Sequence, residues 1–132
     1  MSNLSPSLEK RLLQIVVAVA CLVPLVGGGW GVWHGVGVDG QRNVDSHYHY
    51  LSGLLLGIGL CFAASIPHVE RHAARFRLLT FIVVVGGLAR LAGVVIAGVP
   101  SQAMLMALVM EVVVTPLLCL WQNRVARRYV RT

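Results

Sequence analysis

The chain reads as all-α: an integral membrane, antiparallel four-helix bundle running up-down-up-down, with both termini cytoplasmic. Three observations predict this. Of the 132 residues, 57% are hydrophobic and only 12% charged, and the apolar ones are gathered into four long runs. Mean hydropathy is +0.77, and a domain this small cannot hide that much apolar surface from water, so lipid must be its solvent. Nine of the eleven Lys and Arg residues lie in the N-terminal flank, the second connection and the C-terminal tail, which the positive-inside rule assigns to the cytoplasm. The formal net charge of +6 would by itself invite a nucleic-acid reading, but the basic residues sit in short clusters beside apolar runs, as membrane flanks do. One domain, residues 1–132, in a bacterial inner (plasma) membrane is the expectation.

The elements follow in order. Residues 1–11 form a polar, frayed flank ending in Glu9-Lys10-Arg11. The first span, about residues 12–33, gives about 33 Å of helix. Its apolar run continues past Cys21, which suits a retained helix better than a cleaved signal peptide. Pro24 should kink it, and Gly27-Gly28-Gly29 should bend or unwind its end. Trp30, Trp33 and His34 mark an aromatic interface belt, extended by Tyr48 and Tyr50. A Gly-rich connection carries Asp39, Gln41, Arg42 and Asn43. The second span, about 45–66, opens on the polar string Asp45-Ser46-His47-Tyr48-His49-Tyr50, and its Gly53 and Gly57 are spaced for close helix approach. A polar loop with Glu70, Arg71, Arg75 and Arg77 leads to the third span, residues 76–98. Val99-Pro100-Ser101 turns into the fourth, residues 102–121, where Pro116 should make a second kink. The tail holds Arg124, Arg127, Arg128 and Arg131.

Arg90 is the residue that the rest must accommodate. A charge within an apolar span costs roughly 2.5–3.5 kcal/mol on insertion scales, so it must face protein or water and have a partner. Glu111 is the one acid in the next apolar run. Arg90 lies about 12 Å and Glu111 about 15 Å from the shared tight turn, so an antiparallel pair brings them level. At about 100° per residue, Gly86, Gly93 and Ala97 share the face of Arg90, leaving room for another helix, while Met104, Ala107 and Thr115 share that of Glu111. Asp45, His49, Ser52 and Gly53 line up on the second span. These positions predict an outward-facing polar pocket lined by Asp45, His49, Arg90 and Glu111 and roofed by Trp30 or Trp33. All the buried charge is expected in this outer half, with an apolar inner half.

Three uses of the pocket compete. It can be a structural ion pair that fixes register. It can bind a small polar or anionic ligand or a lipid headgroup, with Arg90 as anchor. It can be catalytic, with His49, Asp45 or Glu111 as acid or base. The leading expectation is a non-enzymatic binding or accessory protein; the runners-up are a small membrane enzyme or oxidoreductase partner acting on a lipid-soluble substrate, and an oligomeric small-molecule transporter. No cofactor and no metal is implied. His47 and His49 point about 200° apart on a helix, and His68 and His72, at helical spacing but not in an HExxH motif, lie in an arginine-crowded loop. The isolated Cys21, Cys61 and Cys119 suit a lipid phase. Expected partners are membrane lipid, the small ligand, and a second copy or another membrane protein, with no nucleic acid.

Asp45-Ser46-His47-Tyr48-His49-Tyr50-Leu51-Ser52-Gly53, Gly86-Gly87-Leu88-Ala89-Arg90, Gly98-Val99-Pro100-Ser101 and Glu111 together resemble an uncharacterised family of small bacterial four-helix membrane proteins, a domain of unknown function with a distant likeness to the DoxX-like proteins. That resemblance implies the four-helix fold and marks Arg90 and Glu111, but implies no activity. The family often has Arg where this chain has His49, so a permanent charge there is replaced by one that titrates near neutral pH.

Overall fold

The computed structural model describes residues 5–37 and 41–130, so Asp39 and Arg131 fall outside the description. Among the described residues the chain is helical, without strands: α1 (Pro6–His34), α2 (Arg42–Ser65), α3 (Ala73–Ala97) and α4 (Gln102–Val130). All four are long and apolar enough to cross a membrane. Large apolar side chains stand in the open along every one of them, among them Val26 (65% exposed), Leu60, Phe81 (66%) and Leu120 (67%). A fold bathed in water would not leave so many, and hydrocarbon is the medium that suits them.

α1 begins earlier than hydropathy predicts. Ser5 caps it, its carbonyl accepting from the Leu8 and Glu9 N–H groups and its hydroxyl lying 3.4 Å from the Leu8 nitrogen. Pro6 occupies the first helical position, where a missing N–H costs nothing, and Glu9 sits in the first turn against the helix dipole. The expected frayed flank is therefore helix from Pro6 onward. α1 also stays helical through Pro24 and Gly27-Gly28-Gly29, so the expected unwinding does not occur.

The helices group into two compact units. Gln14–Pro67 forms one; the described residues of Met1–Leu13 and His68–Thr132 form the other. Within the first, glycines let α1 and α2 meet. A Cβ on Gly28 would lie 2.6 Å from the Leu56 nitrogen, and one on Gly31 would lie 2.7 Å from Cβ of Ser52. On α2 it is Gly59, 3.2 Å from Pro24, that makes the approach. Gly57 has nothing within 4 Å, and Gly53 only a Val32 methyl at 4.0 Å, so the expected glycine pair is not the contact. Gln14 Nε2 donates to the carbonyls of Ile66 (2.8 Å) and Pro67 (3.2 Å), fastening the far end of the same pair.

In the second unit, burial is concentrated where α1 begins, α3 begins and α4 ends. Leu13, Val69, Phe76, Val125 and Gln122 are 0–1% exposed. Gln122 lies just past the predicted end of the fourth span, yet its amide donates to the Val69 carbonyl at 2.7 Å, which ties the 66–72 turn to α4. The same region holds charge. Glu9, only 4% exposed, accepts from Arg128 at 2.5 Å and faces Arg124 at 3.4 Å. Lys10 pairs with Glu70 at 2.9 Å and its ammonium stands over the Tyr129 ring. The expectation that all buried charge lies at the other end is thus corrected.

α4 contains a π-helical turn at Met110–Val114. The carbonyl of Met110 accepts twice from Thr115, once from its backbone N–H and once from its hydroxyl at 2.7 Å. Pro116 follows at once and has no N–H to give the Val112 carbonyl, so the ladder is already interrupted there. The predicted kink at Thr115-Pro116 takes the form of a widened turn, which holds Glu111.

Candidate functional site

The expected site residues fall as two pairs, one in each unit. Arg90 and Glu111 are together. Nε of Arg90 donates to Oε2 of Glu111 at 3.0 Å and Nη2 donates to Oε1 at 3.1 Å, a side-on fork-to-fork pair. Nη1 points to the sulfur of Met104 at 3.1 Å, a soft and weak acceptor. Side chains are 33% exposed for Arg90 and 16% for Glu111. The approach depends on Gly87, where a Cβ would lie 2.7 Å from a Val112 methyl and 2.9 Å from the Glu111 Cβ. Gly86 and Gly93, the expected contact face, have nothing within 4 Å. Glu111 makes this approach from within the π turn.

A guanidinium has five N–H bonds. Three are engaged by Glu111 and Met104, and the remainder meet no acceptor among the described residues. The pair is close to neutral overall, but it presents a donor edge.

Asp45 and His49 form the second pair, 3.3 Å apart and one turn of α2 from each other. Asp45 Oδ1 also accepts the backbone N–H of Val36 at 2.7 Å. Nδ1 of His49 lies 3.1 Å from the Val32 carbonyl. A carbonyl can only accept, so Nδ1 is the donor there, and Nε2 is the nitrogen turned towards Asp45. Gly35 makes this possible: at φ +61 it turns the chain back over α2, and a Cβ there would lie 2.5 Å from Oδ1 of Asp45 and 2.6 Å from Nε2 of His49. Sequence reasoning found Asp45 and His49 but missed the turn that engages them; Gly35 and Gly37, both at positive φ, were the visible signal.

The tryptophans do not cover this pair. Trp33 is 84% exposed, and Trp30 stacks on the His34 ring at 3.8 Å. Neither serves as the expected roof. His68 lies in the turn before α3 and His72 is the residue preceding that helix, so the two do not share a helical face. Among the described residues, no group of three or more His, Cys, Asp or Glu gathers to hold a metal ion.

Outside the spans, Glu70 is the perturbed acid. Burial works to raise its pKa, but the Lys10 ammonium, its own backbone N–H and nearby His68 outweigh that and hold the carboxyl below its ordinary value.

Four helices long and apolar enough to span a membrane, with charged groups kept to their ends apart from the Arg90–Glu111 pair, define a small multi-pass membrane protein. Its residues 12–122 match the model of a domain of unknown function, DUF4345, and the chain belongs to that family. No curated protein and no solved structure matched it.

Proposed function

We propose that this chain is a non-enzymatic binding or accessory protein of the bacterial inner membrane that holds a small polar or anionic ligand, or a lipid headgroup, against Arg90. One observation carries the reading: Glu111 takes the guanidinium side-on and leaves its outer edge with unused N–H donors. A purely structural pair gains most when every donor is satisfied, because unsatisfied groups away from water are costly. Asp45 and His49 supply a second polar pair in the other unit, with acceptor and donor positions of their own.

The topology proposed with it is one four-span domain, up-down-up-down, both termini cytoplasmic. The pairings 24 with 59, 28 with 56 and 31 with 52 support opposite directions for α1 and α2; those of 87 with 112 and 90 with 104 do the same for α3 and α4. The clustering of Lys and Arg supports the sidedness. A distant relation to the DoxX-like proteins belongs to the same proposal.

Native mass spectrometry of protein released from membranes tests the binding. Wild type should carry a small molecule or lipid that Arg90→Ala loses and Glu111→Gln retains more weakly. Equal occupancy in wild type and Arg90→Ala would remove the basis for this function.

A further inference from the structure

The second unit carries another feature, at the end opposite the Arg90 pair. Where α3 begins and α4 ends, two adjoining clefts open, with volumes of about 780 and 450 Å³. They share Arg77, Asn123 and Arg127. The smaller is lined by these three with Leu120, Arg124 and Arg128. Four guanidinium groups therefore face one cleft.

Their charge is only partly answered. Glu9 is shared between Arg124 and Arg128. Arg77 and Arg127 are exposed, and no carboxylate pairs with either among the described residues. Glu70 lines the larger cleft but is occupied by Lys10 and, more distantly, Arg71. Asn123 spends one amide N–H on the Cys119 sulfur and keeps the rest of its amide for the cleft. Arg77 and Arg127, exposed beside the Glu9-bound Arg124 and Arg128 and without a paired carboxylate among the described residues, make this concavity a setting for an anion. Guanidinium forks and an amide suit the oxygens of a phosphate better than a lone carboxylate.

Leu120 decides which phosphate. It lines the cleft and is 67% exposed, and Leu117, one turn towards the centre of α4, is 59% exposed. On α3, Leu78 and Phe81 follow Arg77 and are 60% and 66% exposed. A ligand bound here meets arginines at one end and bare hydrocarbon surface at the other. A cleft of this size is within the usual range for small-molecule sites, about 300–1,000 Å³.

We infer that the Arg77–Asn123–Arg127 cleft is a binding site for the phosphate of an anionic phospholipid, its acyl chains lying along Leu120 and Leu117. The site is independent of Arg90 and places the protein's strongest lipid contact at the start of α3 and the end of α4.

Full-length protein, delipidated in a neutral detergent, tests it by thermal unfolding. Phosphatidylglycerol, phosphatidylcholine and inorganic phosphate are titrated separately. Phosphatidylglycerol should raise the unfolding temperature of wild type, and phosphatidylcholine or inorganic phosphate should not. Arg77→Gln with Arg127→Gln should raise the half-saturating phosphatidylglycerol concentration by roughly tenfold or more. Arg11→Gln with Arg75→Gln, which removes the same charge from exposed positions lining neither cleft, should change it little. Equal weakening by both double variants would reduce the effect to diffuse surface charge and overturn the site. Protection by inorganic phosphate equal to that by phosphatidylglycerol would assign the cleft to a soluble phosphate instead. Should the Gln pair fail to fold, Arg77→Lys with Arg127→Lys keeps the charge and loses the forks; undiminished affinity there would also count against the assignment.

Discussion

The two ends of the second unit use buried charge in opposite ways. Around Glu9 the carboxylate itself is enclosed: it is 4% exposed, two arginines with side chains 44% and 32% exposed converge on it, and Val69, Phe76, Gln122 and Val125 in the same unit are 0–1% exposed. Around Arg90 little is enclosed. No residue of 102–114 is buried, and Val95 and Ile96 are 80% and 85% exposed. The first cluster holds helices together; the second is held by helices and keeps donors to spare. Burial of its surroundings, not the charge itself, separates the first ion pair from the second, for which a ligand is proposed.

The contrast can be broken most forcefully at Glu9. Glu9→Ala removes the buried carboxylate that two partly exposed guanidinium groups share and should cost about 1–3 kcal/mol in unfolding free energy. Arg11→Ala, exposed and one turn's edge away, is the comparison; a similar loss in both would mean the Glu9 cluster is no more than surface charge.

Arg90 should respond more mildly and in a coupled way. Arg90→Ala leaves Glu111 alone in an apolar span, so it should destabilise more than Arg90→Ala combined with Glu111→Gln, with a coupling energy of about 1 kcal/mol. Additive losses in the double-mutant cycle would show that the two groups do not sense each other.

The smallest effect is expected from acid. The Glu70 carboxyl is held below its ordinary value of 4.5 in the folded protein. A depressed folded pKa contributes stability that is complete above the unfolded value and lost as pH falls through the folded one. Unfolding temperature should therefore decline below pH 4.5, and Glu70→Gln should lessen the decline. An unchanged acid profile in Glu70→Gln would assign the loss to other carboxyls.

Much of this was legible in the chain. Four apolar runs gave four helices, because a lipid-facing helix must be apolar almost all round. Arg90 and Glu111 could be paired on paper because each is the lone charge in the interior of its run and a tight turn levels them. Glu9 could not be recognised in the same way. It sits among flanking charges, and a flank that lies on a surface has the same composition as one that folds under it. The signal that did exist was local: Ser5, Pro6 and an acid in the first turn spell a helix start. Gln122 was missed because hydropathy ends a span at a polar residue, whereas its amide is buried by bonding Val69. Gly87 was missed because Gly86 and Gly87 flank Arg90 by about 40° and 60° on opposite sides of α3, and phase alone does not say which side the neighbouring helix takes.

The irregularity of α4 has a consequence for how the sequence tolerates change. The π turn takes up one surplus residue in α4, so the halves on either side of Met110–Val114 keep nearly the phase of an unbroken α-helix one residue shorter. Deleting one residue there would let the ladder close as ordinary α-helix with little swing of either half. Adding one that the ladder did not absorb would swing the preceding half by about 100° against the half that follows. Either Met104 would then leave Arg90, or Gln122 and Arg128 would leave their seats. A one-residue insertion in this stretch is therefore far more disruptive than a one-residue deletion.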